Sequence, residues 1–584
     1  MQNYKSSRIR VYGAAVISLV LANFPPRLAA QTSQGLAAQT SDNEVVNEIV
    51  ILGSRTLSRS VLTTPAPIDF LSAEALGDSA QAEAGRAIQS LAPSFNFPST
   101  SIADGTDALK PATLRGLGPD QTLVLVNGLR RHKSALLHVN SSVGRGTAGT
   151  DMNALPPSFF QSVEILRDGA SALYGSDAIA GVINLRLRER GDGEAIISYG
   201  QTSAGDGEQY RLALNKGFEL PNNGFLFAGY EYQDREKTNS AGLSGTRHYA
   251  NSDPASCNAN ENSGCDGREF TANRRNMIVG DPDSEQNAVL LNAGMDFSWG
   301  DIRAFVNWSQ RDNQSTSFFR QPNDANRNVP EIYPDGFLPQ INTDIEDVSA
   351  ALTTYFDLSS WDSSLSYVYG ENSFDFFIDN SLNASFGAAS PTSADSGGLV
   401  YDEHVLGFDT RGSMKGFDVA AGLEWKREGY QIRAGDLLSY IHCRQVSDHQ
   451  VPDPTSACDN SKSGGIQVFP GFRPENALSR ERDSFATFAE ASQMLGDVLI
   501  SGAVRFEDYD GFDEVLSGRL SGFYELNSRH AWRGTLSNGF RAPSMHQLYF
   551  NNVSTQFDNA GMASETLTAR NDSALANALG IPVL

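Results

Sequence analysis

Ser162-Val163-Glu164-Ile165-Leu166-Arg167-Asp168-Gly169-Ala170-Ser171-Ala172-Leu173-Tyr174-Gly175-Ser176-Asp177-Ala178-Ile179-Ala180-Gly181-Val182-Ile183-Asn184-Leu185 is the stretch whose reading decides the fold. It predicts a short strand, a glycine turn, a one-turn helix, a second glycine turn and another strand. Glycine reaches positive φ without steric cost, so a small domain can reverse its chain several times inside this one segment.

Downstream, from about Glu194, the chain changes to segments that alternate with period two. Val289, Leu291, Ala293, Met295 and Phe297 alternate with Leu290, Asn292, Gly294 and Asp296. Phe417, Val419, Ala421, Leu423 and Trp425 alternate with Asp418, Ala420, Gly422, Glu424 and Lys426. One face suits lipid and the other a watery lumen, although each strand alone would also fit a soluble sandwich. The connections decide between them. Tight turns fall at Pro221–Gly224, Trp299–Gly300, Ser359–Ser360, Met414–Gly416, Leu495–Asp497 and Leu526–Arg529. Between them lie long polar stretches near 236–283, 320–344, 379–402 and 431–481, and a shorter one at Asp510–Gly511. Short turns at one end and long loops at the other are the pattern of an outer-membrane barrel. About thirteen strands are expected, the first near 194–202 and the last near 530–538.

Upstream, Lys5, Arg8 and Arg10 precede an apolar run from Val11 to Phe24 that is too short to span a bilayer, and Leu28-Ala29-Ala30 supplies small residues for cleavage. Residues 1–30 therefore read as a signal peptide. A formal charge of −24 speaks against nucleic acid as a partner. The four cysteines fall in two local pairs, Cys257 with Cys265 and Cys443 with Cys458, both inside long loops. In an exported chain these read as loop-closing disulfides rather than metal ligands. No G-x-S-x-G elbow, H-E-x-x-H, P-loop or dinucleotide fingerprint is present, so no catalytic residue, metal or cofactor is expected and the chain does not read as an enzyme.

The opening stretch closely resembles the end of the plug domain of TonB-dependent outer-membrane receptors. Leu114-Arg115-Gly116-Leu117-Gly118 and Thr122-Leu123-Val124-Leu125-Val126-Asn127-Gly128-Leu129-Arg130-Arg131 match the same family in the same order. The resemblance implies an α+β plug over 53–190, followed over 191–584 by a transmembrane antiparallel β-barrel of the kind that has about twenty-two strands. Its motif residues here are Arg115, Gly116, Asn127, Gly128, Arg130, Glu164, Arg167, Gly169, Tyr174, Gly175, Gly181 and Asn184. It implies energy-coupled import of a scarce nutrient across a Gram-negative outer membrane, with a ferric siderophore first by family frequency. Oligosaccharide or cobalamin-type import, and a non-transporting adhesive barrel, are the alternatives. The expected partners are the TonB protein, an external small-molecule ligand and outer-membrane lipid, with the chain acting as a monomer. In the family, a short extended segment ahead of the plug pairs with TonB by strand addition. Within the leader 31–52, the β-prone run containing Val45, Val46, Glu48, Ile49, Val50 and Ile51 occupies that place. Ile49–Leu52 also reads as the first strand of the plug sheet.

Arg115, Arg130, Arg131, His132 and Arg145 gather positive charge in an acidic chain. Two readings stay open: the loops after Val126 and around Asn140–Thr150 point upward to meet an anionic ligand, or these groups pair with carboxylates on the lumen wall. His132 and His138 make a weak metal site. By resemblance, Glu164, Arg167 and Asp168 are expected to pair with the wall, while Phe540-Arg541-Ala542-Pro543 reads as a strand exit closed by proline. Thirteen is an odd count, and Gly539 to Leu584 lacks clean alternation, so the sequence is expected to be part of a longer receptor.

Overall fold

The computed structural model describes residues 49–50, 52–56, 59–60, 63–139, 142–249, 266–445, 458–459, 461–527, 529–557, 563–570 and 572–581. The plug comprises strands β1 (Ile49–Val50), β2 (Arg59–Ser60), β3 (Ile68–Ser72), β4 (Phe95–Asn96), β5 (Thr113–Leu114), β6 (Thr122–Val126), β7 (Leu129–Arg130), β8 (Phe160–Leu166) and β9 (Gly181–Leu187), with helices α1 (Ala73–Asp78), α2 (Ala84–Leu91) and α3 (Ser171–Tyr174). A mixed five-stranded sheet in the order β3-β8-β9-β6-β7 forms its centre, and β6 and β9 run parallel. All five residues of Thr122-Leu123-Val124-Leu125-Val126 are buried, as a strand covered on both faces requires. Ile49–Val50 pairs with Arg59–Ser60 in a separate two-stranded ladder. The strand–helix–strand reading of residues 162–185 corresponds to β8, α3 and β9.

Gly181 illustrates why that stretch needs its glycines. Its φ is 149°, and a Cβ placed there would lie 2.1 Å from the carbonyl oxygen of Leu166, which is fixed by the β8–β9 ladder. Gly181→Ala is expected to destabilise the plug by about 2–3 kcal/mol. Protease protection of the plug reads this directly, and a variant as protected as the parent would contradict it.

After the plug, thirteen strands form one antiparallel sheet in strict sequence order. They are β10 (Glu194–Gly200), β11 (Gln209–Leu220), β12 (Gly224–Arg235), β13 (Asp283–Phe297), β14 (Gly300–Thr316), β15 (Gln340–Leu358), β16 (Trp361–Asp379), β17 (Ala394–Met414), β18 (Phe417–Arg433), β19 (Leu478–Leu495), β20 (Val498–Tyr509), β21 (Val515–Asn527) and β22 (His530–Ser537). Among the described residues β10 and β22 are the two edges and do not pair with each other. No helix is long and apolar enough to cross a membrane among the described residues. The turns read from the sequence all lie at one end, and Asn222, Asn223, Ser359 and Lys415 adopt positive φ there, as tight hairpins demand.

β15, β17 and β19 begin inside stretches that read as long loops. β15 has 19 residues, about 65 Å of chain, whereas the apolar band of such barrels is about 25 Å tall. Val348, Ala350 and Leu352 form the outward apolar face, and Asn342, Asp344 and Glu346 continue it toward the long loops. There the polarity of the faces inverts, with polar residues outward and Ile341 and Ile345 inward against the apolar cluster, so the lipid-facing apolar pattern stops and the segment reads as loop.

Inside the sheet, the plug packs Phe159, Phe160, Val163, Ile183 and Leu185 against wall residues Phe227, Leu290 and Phe305. Toward the long loops, plug residues Leu109, Leu136 and Leu137 meet Phe374, Phe376, Phe469 and Phe472. The segment after β22 contributes a Met545–Tyr549 helix, with a capping box from Ser544 and Gln547. Its His546 is fully buried and hydrogen-bonds the Ser134 carbonyl at 2.8 Å. Cys443 and Cys458 are joined in a disulfide inside one long loop, with Cα atoms 5.6 Å apart. Cys257 and Cys265 lie outside the described residues.

Candidate functional site

The motif residues of the plug collect into two networks. In the first, Asn127 (φ 50°) and Gly128 (φ 83°) make the tight turn from β6 to β7. The Asn127 side-chain oxygen accepts from Leu187 N at 2.9 Å, and Gly128 N donates to the Asn184 oxygen at 2.9 Å. Asn184 also donates to Glu164 at 3.2 Å. The turn is thereby fastened to β9, which is why a local turn motif and two strand residues sixty positions away belong together. In the second network, Arg130 pairs with Asp177 at 2.8 Å and donates to the Tyr174 carbonyl at 2.9 Å. Gly175 (φ 94°) sits between Arg130 and the wall, and a Cβ there would lie 3.0 Å from the Arg130 guanidinium and 3.2 Å from that of Arg505. Burial pushes the Asp177 carboxyl up, but Lys133 and Arg130 more than reverse this and hold it below the usual range.

The next residues join the plug to the wall. Arg131 donates to Asp347 on β15 at 2.7 Å, and also to Asn307 and Ser349. His132 meets the other Asp347 oxygen at 3.0 Å, and Ala135 N donates to Asn372 of β16 at 2.8 Å. Of the two readings of the basic cluster, Arg131 and His132 therefore follow the wall-carboxylate one. Arg130 pairs within the plug, and Arg115 and Arg145 are exposed.

Two expectations are corrected. Glu164 meets Asn184 and Arg186 of the plug, and Arg167 pairs with Asp69 at 3.0 Å, so both act inside the plug. Asp168 alone of the three is seen against the wall, 3.2 Å from Arg519. The Asn127–Gly128 turn faces the short-turn end, next to Trp299, Asp301 and Asp357, while the chain after it climbs toward the long loops. His132 and His138 do not form a shared site: His138 bonds Thr106 at 3.0 Å. Arg541, read as part of a strand exit, pairs with plug residue Asp120 at 2.9 Å.

Burial lowers His138 to a pKa of about 4, and burial together with the nearby Lys133 charge lowers His546 to about 3. Both lie where plug and loops meet. An unfolded histidine takes up a proton near pH 6.5, which the buried ring refuses. The stability they contribute is thus complete above about pH 6.5 and is lost as pH falls toward 4, by about 3 kcal/mol for His138. Protease protection followed between pH 7 and pH 4 should fall in that window and fall less in His138→Asn. A flat profile would contradict the assignment.

Sequence reading missed a third attachment, at Ser54–Thr56. Ser54 Oγ donates to Glu490 at 3.0 Å and Arg55 N donates to the same carboxylate at 2.6 Å. The Arg55 guanidinium reaches Asp409 at 3.2 Å and lies over the rings of Tyr174 and Phe488. Thr56 Oγ1 is 3.1 Å from Ser492 Oγ. The wall partners are more than three hundred residues away, so no local signal could reveal them. Val45, Val46, Glu48 and Ile51 lie outside the described residues, just upstream of this strap. A cavity of about 990 Å³ opens beside it at the short-turn end, between the plug turn and the wall.

Two protein-family models match the chain: the TonB-dependent receptor plug domain over residues 60–182 and the TonB-dependent receptor-like β-barrel over residues 286–573. A vitamin B12 transporter of Vibrio vulnificus is 23% identical over 457 residues, covering 74% of this chain and 54% of that protein. A ferric enterobactin receptor of Pseudomonas aeruginosa is 21% identical over 472 residues, covering 78% of this chain and 56% of that protein. The chain thus spans about half the length of these two relatives. Among solved structures, the siderophore receptor PirA from Acinetobacter baumannii superposes with a TM-score of 0.58 at 17% identity, over 87% of this chain and 66% of that one.

Proposed function

This chain belongs to the TonB-dependent receptors, and from that premise we propose that it imports a scarce nutrient across a Gram-negative outer membrane, with a ferric siderophore as first candidate. The signal peptide over 1–30 delivers it there, and TonB adds as a strand to the Val45–Ile51 run. The observation that carries the reading is how the plug is held. Arg131 and His132 on Asp347, Asp168 with Arg519, and the Ser54–Thr56 strap on Glu490 are polar contacts between plug and wall. Such pairs add little net stability compared with apolar packing, yet they fix one arrangement and can exchange for water when pulled apart. A stopper meant to move suits this fastening; a purely adhesive barrel has no use for it.

The siderophore assignment rests on the names of the relatives, one of which is instead a vitamin B12 transporter. Uptake of radiolabelled ferric enterobactin and of radiolabelled cyanocobalamin, by cells with and without this gene, separates the two. Gene-dependent iron accumulation is expected. Accumulation of cobalamin alone would replace the siderophore reading, and neither, in cells where both are offered, would overturn it.

A further inference from the structure

Where the start of plug helix α2 meets the end of strand β12, five charged side chains are enclosed together. Glu83 pairs with Arg86, with Lys110 at 2.9 Å and with Arg235 at 3.1 Å. Asp281, just ahead of β13, pairs with Arg86 and with Lys110 at 3.2 Å. The Lys110 side chain is only 1% exposed. Three cations thus share two carboxylates, and one positive charge is buried in surplus. Arginine keeps its proton in proteins, whereas a buried lysine can release its own. Burial, with Arg235 and Arg86 close by, holds Lys110 below the usual lysine range against the pull of Glu83 and Asp281. Loss of that proton brings the cluster to neutrality and turns Lys110 into a nucleophile.

A side-chain amide stands beside it. Asn153 Nδ2 donates to Glu83 Oε1 at 2.9 Å, the same oxygen that Lys110 Nζ reaches at 2.9 Å. The chemistry fixes which way this amide points, since its oxygen cannot donate to a carboxylate. The backbone of Asn153 is held on both sides: its N–H donates to Asp151 at 2.9 Å and its carbonyl accepts from Gln286 at 2.7 Å. Its Oδ1 is buried and has no hydrogen-bond partner among the described residues, so a change at the amide nitrogen breaks no other side-chain bond.

We propose that Lys110 and Asn153 join in an intramolecular isopeptide bond, with Glu83 as the proton carrier. Glu83 Oε1 takes one proton from the Lys110 ammonium, and the freed Nζ attacks Asn153 Cγ. Glu83 passes its proton to Nδ2 and takes up a second from Nζ. The Cγ–Nδ2 bond breaks as the Nζ–Cγ amide forms. Ammonia leaves with the last proton as ammonium, which restores the carboxylate and carries away the surplus charge. Nothing is oxidised or reduced. The bond closes residues 111–152, which hold β5, β6 and β7, into a ring. A pull from the N-terminal side could then straighten the chain as far as Lys110 without unspooling that ring.

Peptide mapping by mass spectrometry of the full chain, purified in detergent, tests this. The expected result is one branched peptide joining Lys110 to Asn153, lighter by one ammonia than the sum of its two parts. Recovery of both peptides unmodified would overturn the proposal. So would a succinimide at Asn153, which loses the same ammonia but leaves two separate peptides. The parent protein decides this, whether or not a variant folds. Glu83→Gln keeps the shape but cannot take the ammonium proton, and in pulse-labelled protein the link should form about a hundredfold more slowly. Equal rates would overturn the role of Glu83. The import reading is untouched by any of these results, because it stands or falls on uptake.

Discussion

Ile49→Pro is expected to reduce uptake of the imported nutrient to the level of cells lacking the gene, while binding at the cell surface stays within a factor of two. Strand addition depends on backbone N–H and C=O groups more than on side chains, and proline removes a donor and fixes φ. Val46→Pro should act alike, since both sit in the Val45–Ile51 run. On the import reading the ligand is met at the long-loop end, across the membrane from this segment, so its affinity has no reason to change. Ile49 is paired with Ser60 in the resting protein. A proline there also disturbs this two-residue ladder, which lies outside the five-stranded plug sheet. Uptake by both variants at the parent rate would place the energising contact elsewhere.

Asp347→Ala should be the most damaging single substitution on the wall. It strips the carboxylate from Arg131 and His132 at once, and all three side chains are almost completely buried. A guanidinium left in that position without its counter-charge is expected to cost about 3–5 kcal/mol. Thermal release of the plug, followed by protease cleavage within residues 127–139, should therefore begin well below the parent temperature. Asp168→Ala strands only one buried guanidinium, beside a position that is 22% exposed and lets water take the carboxylate's place, and should shift it less. Equal shifts for the two variants would show that burial of the Asp347 pair does not govern how the plug is held.

The parts of the fold that sequence reveals are those written in neighbouring residues. Glycines 169, 175 and 181 mark the chain reversals of residues 162–185, and Asn222, Ser359 and Lys415 stand in the tight turns that order thirteen strands. Alternation located each strand because lipid and lumen impose opposite demands on its two faces, and it failed where the outward face turns polar above the lipid, as at Asn342–Glu346. The site was legible only in half. Residue types disclosed that Arg130, Arg131 and His132 needed partners, but not that Asp177 would serve the first and Asp347 the other two. Pairing across more than two hundred residues follows from the register of the sheet that packs around the plug, which no local pattern encodes. The Ser54–Thr56 strap and the buried His546 were invisible for the same reason.

Import as proposed requires TonB to engage the Val45–Ile51 run, and the most direct measurement of that contact is disulfide capture in living cells. Single cysteines are placed in turn from Glu44 to Leu52, and a cysteine-bearing TonB is scored for covalent adduct. Capture concentrated within Val45–Ile51, and abolished when Ile49→Pro is added to the same molecule, is the predicted result. Absence of capture at every position, or capture indifferent to the proline, would contradict it.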